Sequence, residues 1–289
     1  AQLIQDKGMG NGRIGMDHFA IPITQYEKIR ANLSQATLLP ASMFFRYVRM
    51  IKTPDEIRRL REAAEVNEEA INAMLRACRP RVTENELASI YKGEIAKAGG
   101  QVYWMHMAVT RGGNFPALKD NVLQKGDIFR VDMGCSINGY HADVCKSGSV
   151  GAEPTAEHRK RYDAIQAGVL KSVEALKPGV RPQELYETMI AGVRANGLPN
   201  YSNFFLGHTI GLEAREFPFL LGPAEEVDDP FLPNTTNIPV EPGMTMNLEA
   251  SNHEAGWGTV QVEYTCAVTE TGHEHLIFPE QKLLTLPLE

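Results

Sequence analysis

Two aspartates in the stretch DIFRVDMGCSINGYHADVCKSGSV, Asp132 and Asp143, are the first residues whose placement suggests chemistry. Asn138-Gly139, set between apolar β-prone runs, is the dipeptide of a two-residue type I′ hairpin turn. With that turn, Ile137 faces Tyr140, and the paired positions add to 277 throughout. Asp132 then lies opposite Cys145, and Gly134 opposite Asp143. The two carboxylates become diagonal neighbours on one face, with Cβ atoms about 7–8 Å apart. Two acids on apolar strands are costly to bury without a partner. One or two divalent cations would neutralise them: hard ions take oxygen ligands, and Mn, Fe, Co and Zn accept a mixed carboxylate and imidazole set. The plain alternative is a solvated hairpin edge with both acids in water.

Three later segments add to the set. His208 stands between glycines in the apolar run FFLGHTIG, where small flanking residues let a partner approach the backbone closely. Glu249 ends the strand-like MTMNLE after the Pro242-Gly243 turn, and Glu263 sits inside the strand-like VQVEY. Taken singly, each also fits a packed histidine or a surface strand with one polar residue. Four cysteines are too few for a disulfide scaffold, and with none in a C-x-x-C pair they disfavour a zinc knuckle or thioredoxin-type site and point to a reducing compartment.

The elements that position these residues are marked by caps. Thr53-Pro54-Asp55-Glu56 is a capping box with proline at the first helical position, and Thr83 with Glu86 forms a second. Thr155 caps a third helix, and a fourth follows Lys177-Pro178-Gly179. The Arg79-Pro80 and Lys177-Pro178 stops, each followed by Glu-Leu, lie 98 positions apart. This spacing predicts a duplicated helix–helix–strand unit, with a site available between the two halves. Strands are expected in 101–110, 127–150, 201–212, 240–251 and 258–269, giving an α+β class. Residues 36–52 read as a strand or short helix leading into a linker. The acidic, proline-rich segment 221–243 reads as a surface loop.

Composition narrows the function classes. In 289 residues, 43% hydrophobic and 22% charged content is globular, and a net charge of −7 disfavours a nucleic-acid partner. No apolar run is long enough to span a membrane. The first residues lack a signal peptide's charged start and apolar core, which with the cysteines favours a cytoplasmic location.

Together, Asp132 in VDMG, Asp143 in GYHAD, His208 in GHTIG, Glu249 in MNLEAS and Glu263 in VQVEYT resemble the ligand contexts of the pita-bread metallopeptidase superfamily. That superfamily includes prolidases, aminopeptidase P, methionine aminopeptidases and creatinase. The resemblance covers roughly residues 50–285. It implies a pita-bread catalytic domain over 49–289, with pseudo-twofold halves around a curved antiparallel sheet. Residues 1–48 would be the remnant of a creatinase-type N-terminal domain and linker. It also implies two divalent metal ions, a homodimer, and hydrolysis of an amide or peptide bond in a small molecule or dipeptide. Asp132 would hold one ion, Asp143 and Glu263 would bridge, and His208 and Glu249 would complete the other. Glu249 would also act as general base.

Two departures qualify the peptidase expectation. Relatives carry a histidine in an H-E-x-P motif, where this chain reads Arg215-Glu216-Phe217-Pro218. Arginine pairs with anions but cannot exchange protons as imidazole does. A second histidine of the family lies in a loop after an asparagine, and RGGNFPALK at 111–119 has none. His106 lies nearby, before the asparagine and on an expected strand, as a candidate substitute. Arg215 suits a substrate carboxylate or, equally, an ion pair with Glu213 or Glu216. A non-peptidase C–N hydrolase or lyase of a small carboxylated metabolite is therefore the second reading, and a catalytically inactive binding module the third.

Overall fold

Both capping boxes form in the computed structural model, which describes residues 1–17, 21–109, 120–222, 237–277 and 281–288. The chain divides into two units, Ala1–Met50 and Ile51–Glu289. The smaller contains α1 (Gln2–Asp6), β1 (Arg13–Met16), α2 (Ile23–Asn32), β2 (Thr37–Pro40) and α3 (Ser42–Met50). β1 and β2 pair in parallel. The stretch expected to be strand or short helix is one followed by the other.

In the larger unit, α4 (Pro54–Ala77) starts at Thr53. Thr53 Oγ1 accepts from the Glu56 N–H at 3.3 Å, and the Thr53 N–H donates to Glu56 Oε2 at 2.9 Å. α5 (Glu84–Lys97) repeats the arrangement with Thr83 and Glu86 at 3.2 and 2.7 Å. These reciprocal bonds satisfy donors that a helix start leaves without partners. Three strands follow: β3 (Gln101–Val109), β4 (Ile128–Ile137) and β5 (Tyr140–Val150). Then α6 (Ala156–Ala175) and α7 (Pro182–Ala195) lead into β6 (Phe205–Thr209), β7 (Glu216–Leu221), β8 (Thr245–Glu254) and β9 (Gly258–Val268). Two short strands, β10 (His273–His275) and β11 (Leu284–Leu286), close the unit.

The helix–helix–strand unit therefore occurs twice. α5 and α7 are both 14 residues long and start 98 positions apart. α4 packs on β4 and β5, and α6 packs on β8 and β9. The strands form two hydrogen-bonded sheets, β11-β5-β4-β3 and β10-β9-β8-β6-β7, antiparallel except where β11 joins β5. They abut along β5 and β9. There Ser147 Oγ donates to the Gln261 carbonyl at 3.1 Å and accepts from the Gln261 N–H at 2.9 Å.

Strand periodicity sorts the side chains. Val131, Met133 and Cys135 of β4 join the core with Ile71, Met74 and Leu75 of α4. Arg130, Asp132 and Gly134 alternate with them and face the other way. A buried polar link holds helix to strand: Asn67 Nδ2 donates to the Met133 carbonyl at 2.8 Å, and Tyr91 Oη donates to Asn67 Oδ1 at 2.6 Å. Among the described residues, no helix is long and apolar enough to cross a membrane.

His158, in the first turn of α6, is 1% exposed and meets the Trp257 ring edge-on at 5.7 Å. Burial lowers its pKa to about 4. The unfolded chain takes up this proton below about pH 6.5, the folded chain only near pH 4. Stability is therefore complete above pH 6.5 and falls by about 2–3 kcal/mol as the pH drops to 4. His158→Phe is expected to remove that part of the slope in urea unfolding measured across this range; an unchanged slope would contradict the assignment.

Candidate metal centre

The hairpin that carries the aspartates has the register its turn dictates. Asn138 and Gly139 both adopt positive φ, +51° and +86°. Every pair from Ile128–Ser149 to Ile137–Tyr140 follows the same sum, so Asp132 faces Cys145 and Gly134 faces Asp143. Gly134 has a packing reason: a Cβ there would lie 2.1 Å from the Trp104 ring. With that space open, Trp104 Nε1 reaches Asp132 Oδ1 and donates at 2.7 Å.

The second half supplies the other three residues. Glu249 of β8 is directly opposite Glu263 of β9. β6 pairs alongside β8, and a Cβ on Gly207 would come within 2.3 Å of the Asn247 carbonyl. His208 follows, fully buried. Its Nδ1 donates to the Thr209 carbonyl at 2.8 Å, which fixes the tautomer. Nε2 is left 3.5 Å from Asp143 Oδ2 and 3.9 Å from Glu249 Oε1. Asn247 Nδ2 donates to Glu263 Oε1 at 3.0 Å. Gln261 Nε2 bridges Glu249 Oε2 at 2.8 Å and Asp132 Oδ2 at 3.2 Å. His208 thus lies beside Asp143 and Glu249, Gln261 links Glu249 to Asp132, and Glu263 stands opposite Glu249 across β8 and β9.

The donor set fits a divalent cation. Among the described residues, Asp143 Oδ1, His208 Nε2 and Glu263 Oε2 are buried polar atoms with no hydrogen-bond partner, an arrangement that ordinarily carries a penalty. Burial, reinforced by neighbouring acids, holds Asp143 and Glu263 well above the usual carboxylate range and raises Glu249 as well. Burial also lowers His208, keeping its imidazole neutral, the form that ligates a metal. A bound cation would ionise the three acids and use the orphaned atoms.

Asp132 is different. Burial pushes its carboxyl up, but the Arg130 guanidinium, aided by hydrogen bonding from His106 and Trp104, outweighs this and holds it below the usual range. Arg130, 3% exposed, donates from Nη2 to Asp132 Oδ2 at 2.6 Å and from Nε to Gln261 Oε1 at 2.6 Å. Oδ2 thus receives two donors, whereas Oδ1 receives one from Trp104 and faces His106.

Sequence reasoning missed Trp104, Arg130, Asn247 and Gln261. Three of them carried a readable signal. Arg130, Asn247 and Gln261 each stand two positions before an acid of the site, and a two-residue step along a strand returns to the same face.

Of the two candidate substrate contacts, His106 is paired with Asp132 across β3 and β4, its Nδ1 3.9 Å from Oδ1. It lines a cavity of about 440 Å³ with Trp104 and Arg215. Arg215 also lines a second cavity, of about 450 Å³, with Asp132, Tyr201, Glu249 and His253. Its guanidinium lies 5.1 Å from the Phe205 ring centroid. Glu216, one of its expected partners, is engaged by Lys52 Nζ at 3.0 Å. Cys145 is buried, and burial next to Glu263 and Asp132 raises its thiol pKa, so it stays protonated. The loop 111–119 and most of the expected surface loop, 223–236, lie outside the described residues.

Comparison with known proteins places this geometry. The chain is 24% identical over 284 residues to the uncharacterized peptidase YqhT of Bacillus subtilis, covering 97% of this chain and 77% of that protein. It is 27% identical over 242 residues to the Xaa-Pro dipeptidase of Pyrococcus furiosus, covering 82% and 66%. Among solved structures, the X-Pro aminopeptidase of Thermotoga maritima superposes with a TM-score of 0.86 at 20% identity, covering 98% of this chain and 78% of the other. The Xaa-Pro dipeptidase of Bacillus anthracis gives 0.85 at 25% identity, covering 98% and 77%. The fold is therefore the pita-bread α+β architecture. The model of metallopeptidase family M24 matches residues 58–270, most of the chain and the whole acidic centre. With that match and a site chemically suited to a divalent ion, the chain belongs to metallopeptidase family M24.

Proposed function

We propose that this protein is a metal-dependent hydrolase of the Xaa-Pro peptidase type, cleaving an amide or peptide bond of a dipeptide-sized substrate. The observation that carries the reading is the convergence of Asp143, His208, Glu249 and Glu263 with three buried ligand atoms unpartnered. Relatives named Xaa-Pro dipeptidase support the reaction class. Two divalent ions, from among Mn, Fe, Co and Zn, would be held by the five residues. Asp132, Asp143, His208, Glu249 and Glu263 would be the ligands. When bound, such ions make water nucleophilic near neutral pH and polarise a carbonyl.

The chain's own residues do the rest. Glu249 accepts the proton of the attacking water and passes it to the leaving nitrogen, a general-base role. Gln261 orients the Glu249 carboxylate from one side. Trp104 and Arg130 hold Asp132 in place. The cavity of about 450 Å³ has the size for a dipeptide, and Arg215 at its wall can pair a substrate carboxylate. The proposal includes a homodimer in a reducing cytoplasm, in keeping with four buried free thiols. It also includes the assignment of 1–48 as the remnant of a creatinase-type N-terminal domain.

Arg215 standing where the family has histidine favours one second reading, a C–N hydrolase or lyase acting on a small carboxylated metabolite. A panel assay separates the two. Protein loaded with Mn²⁺ or Fe²⁺ is expected to cleave Xaa-Pro dipeptides, and Arg215→Ala to raise KM by roughly 10-fold or more, as loss of a charged hydrogen bond implies. Turnover of zwitterionic metabolites without any Xaa-Pro cleavage would overturn the peptidase reading in favour of the second.

A further inference from the structure

Away from the acidic centre, the hairpin of β9 and β10 brings together a second set of metal-ligating side chains. Cys266 and His275 are directly opposite in the β9–β10 register, and His273 lies two residues along β10 from His275, on the same face. One ligand atom from each residue falls within 4.8 Å of the others, and Cys266 Sγ is 3.6 Å from His275 Nδ1. Cys266 is three positions beyond Glu263 on β9 and so projects from the opposite face of that strand. It cannot share the ion of the acidic site.

We infer that Cys266, His273 and His275 form a separate binding site for a thiophilic divalent cation of the Zn²⁺ type. Three features argue for it beyond proximity. First, a thiol with two imidazoles is a soft to borderline donor set that selects zinc-like ions, in contrast with the oxygen-rich centre. Second, His273 is pre-set as a ligand. Its Nδ1 lies 2.9 Å from the Leu176 carbonyl, which can only accept, so the ring proton is on Nδ1 and Nε2 carries the free lone pair. Metal-bound histidines are held in this way by a backbone carbonyl on the far nitrogen. Third, the backbone of the short strand is fixed from outside the cluster: Arg61 donates to the carbonyls of His275 and Leu276 at 2.9 and 2.6 Å.

Zinc bonds of about 2.3 Å to sulfur and 2.0–2.1 Å to nitrogen require the three atoms to close by small side-chain shifts. Three protein ligands leave the fourth tetrahedral position to water. Binding displaces the Cys266 proton to solvent, and the thiolate, not the thiol, becomes the ligand. Burial lowers His275 and raises the Cys266 thiol to about 12, so imidazole is neutral but the thiol proton must be displaced by the ion. The bound ion would tie β10 to β9 and, through His273, to the end of α6.

Titration of the metal-free full chain with Co²⁺ tests the site, because only a cobalt–thiolate bond gives an intense near-ultraviolet charge-transfer band. The wild type is expected to show the band, and Glu249→Ala to retain it. Cys266→Ala is expected to lose it, together with one equivalent of bound Zn²⁺. His273→Gln is on the partly exposed strand and serves where Cys266→Ala fails to fold; it too is expected to bind one equivalent less. Absence of the band in the wild type, or equal zinc stoichiometry in the wild type and His273→Gln, would overturn the proposal. Because Glu249→Ala disables the acidic centre alone, failure of the proposed peptidase function leaves the band intact and is read separately.

Discussion

Glu249→Gln is expected to reduce kcat on an Xaa-Pro dipeptide by roughly 10²–10⁴-fold, the usual contribution of a positioned general base. The substitution keeps the shape of a side chain that Gln261 Nε2 holds at 2.8 Å and whose other oxygen faces His208 Nε2. It removes the group that takes the proton. An amide oxygen still ligates, so metal content measured on the purified variant should fall far less than turnover. A loss of kcat with KM little changed marks an interaction made in the transition state. Turnover within a few-fold of the wild type would remove Glu249 from the mechanism.

Arg130→Leu is expected to carry the largest stability effect. The guanidinium and the Asp132 carboxylate are 4% and 12% exposed as side chains, at 2.6 Å. Removing one partner of a buried pair strands the other charge and costs about 3–5 kcal/mol. The loss should appear in urea unfolding of the metal-free protein and shrink when Mn²⁺ is present in excess, since a cation also compensates Asp132 and binds only the folded state. Asp132→Asn combined with Arg130→Leu should recover part of the loss, the coupling expected of residues in contact. A cost below about 1 kcal/mol in the single variant would show that Arg130 and Asp132 are not a buried pair.

The contrast between these two residues shows what a sequence exposes and what it conceals. Glu249 was legible because it follows an apolar run after a clear turn, although β8 continues beyond it to Glu254. The Asp132–Asp143 register was legible because a two-residue Asn-Gly turn leaves one pairing. Helix starts were legible because Thr53–Glu56, Thr83–Glu86 and Thr155 cap locally, within three residues. Arg130 had a local signal, its two-residue step from Asp132, but its second partner Gln261 is 131 residues away on a strand of the other half and could not be read. The approach of β4 to β9 makes them neighbours. β7 escaped notice for a related reason: EFPFLL is short, contains a proline and follows a bend at 211–215, so its strand character comes from pairing with β6 rather than from its own pattern. α1, β1 and α2 in the first fifty residues lack strong caps and periodicity, and no side chain caps α1 or α2.

The way the two halves share the centre bears on how the protein is made. Asp132 and Asp143 leave the ribosome on one hairpin, while His208, Glu249 and Glu263 arrive 65 to 120 residues later. Until the last of these emerges, the nascent chain exposes a pair of acids with Arg130 as their nearest fixed countercharge. A cation held by all five residues would therefore be captured only late in synthesis, and would tie one half of the molecule to the other.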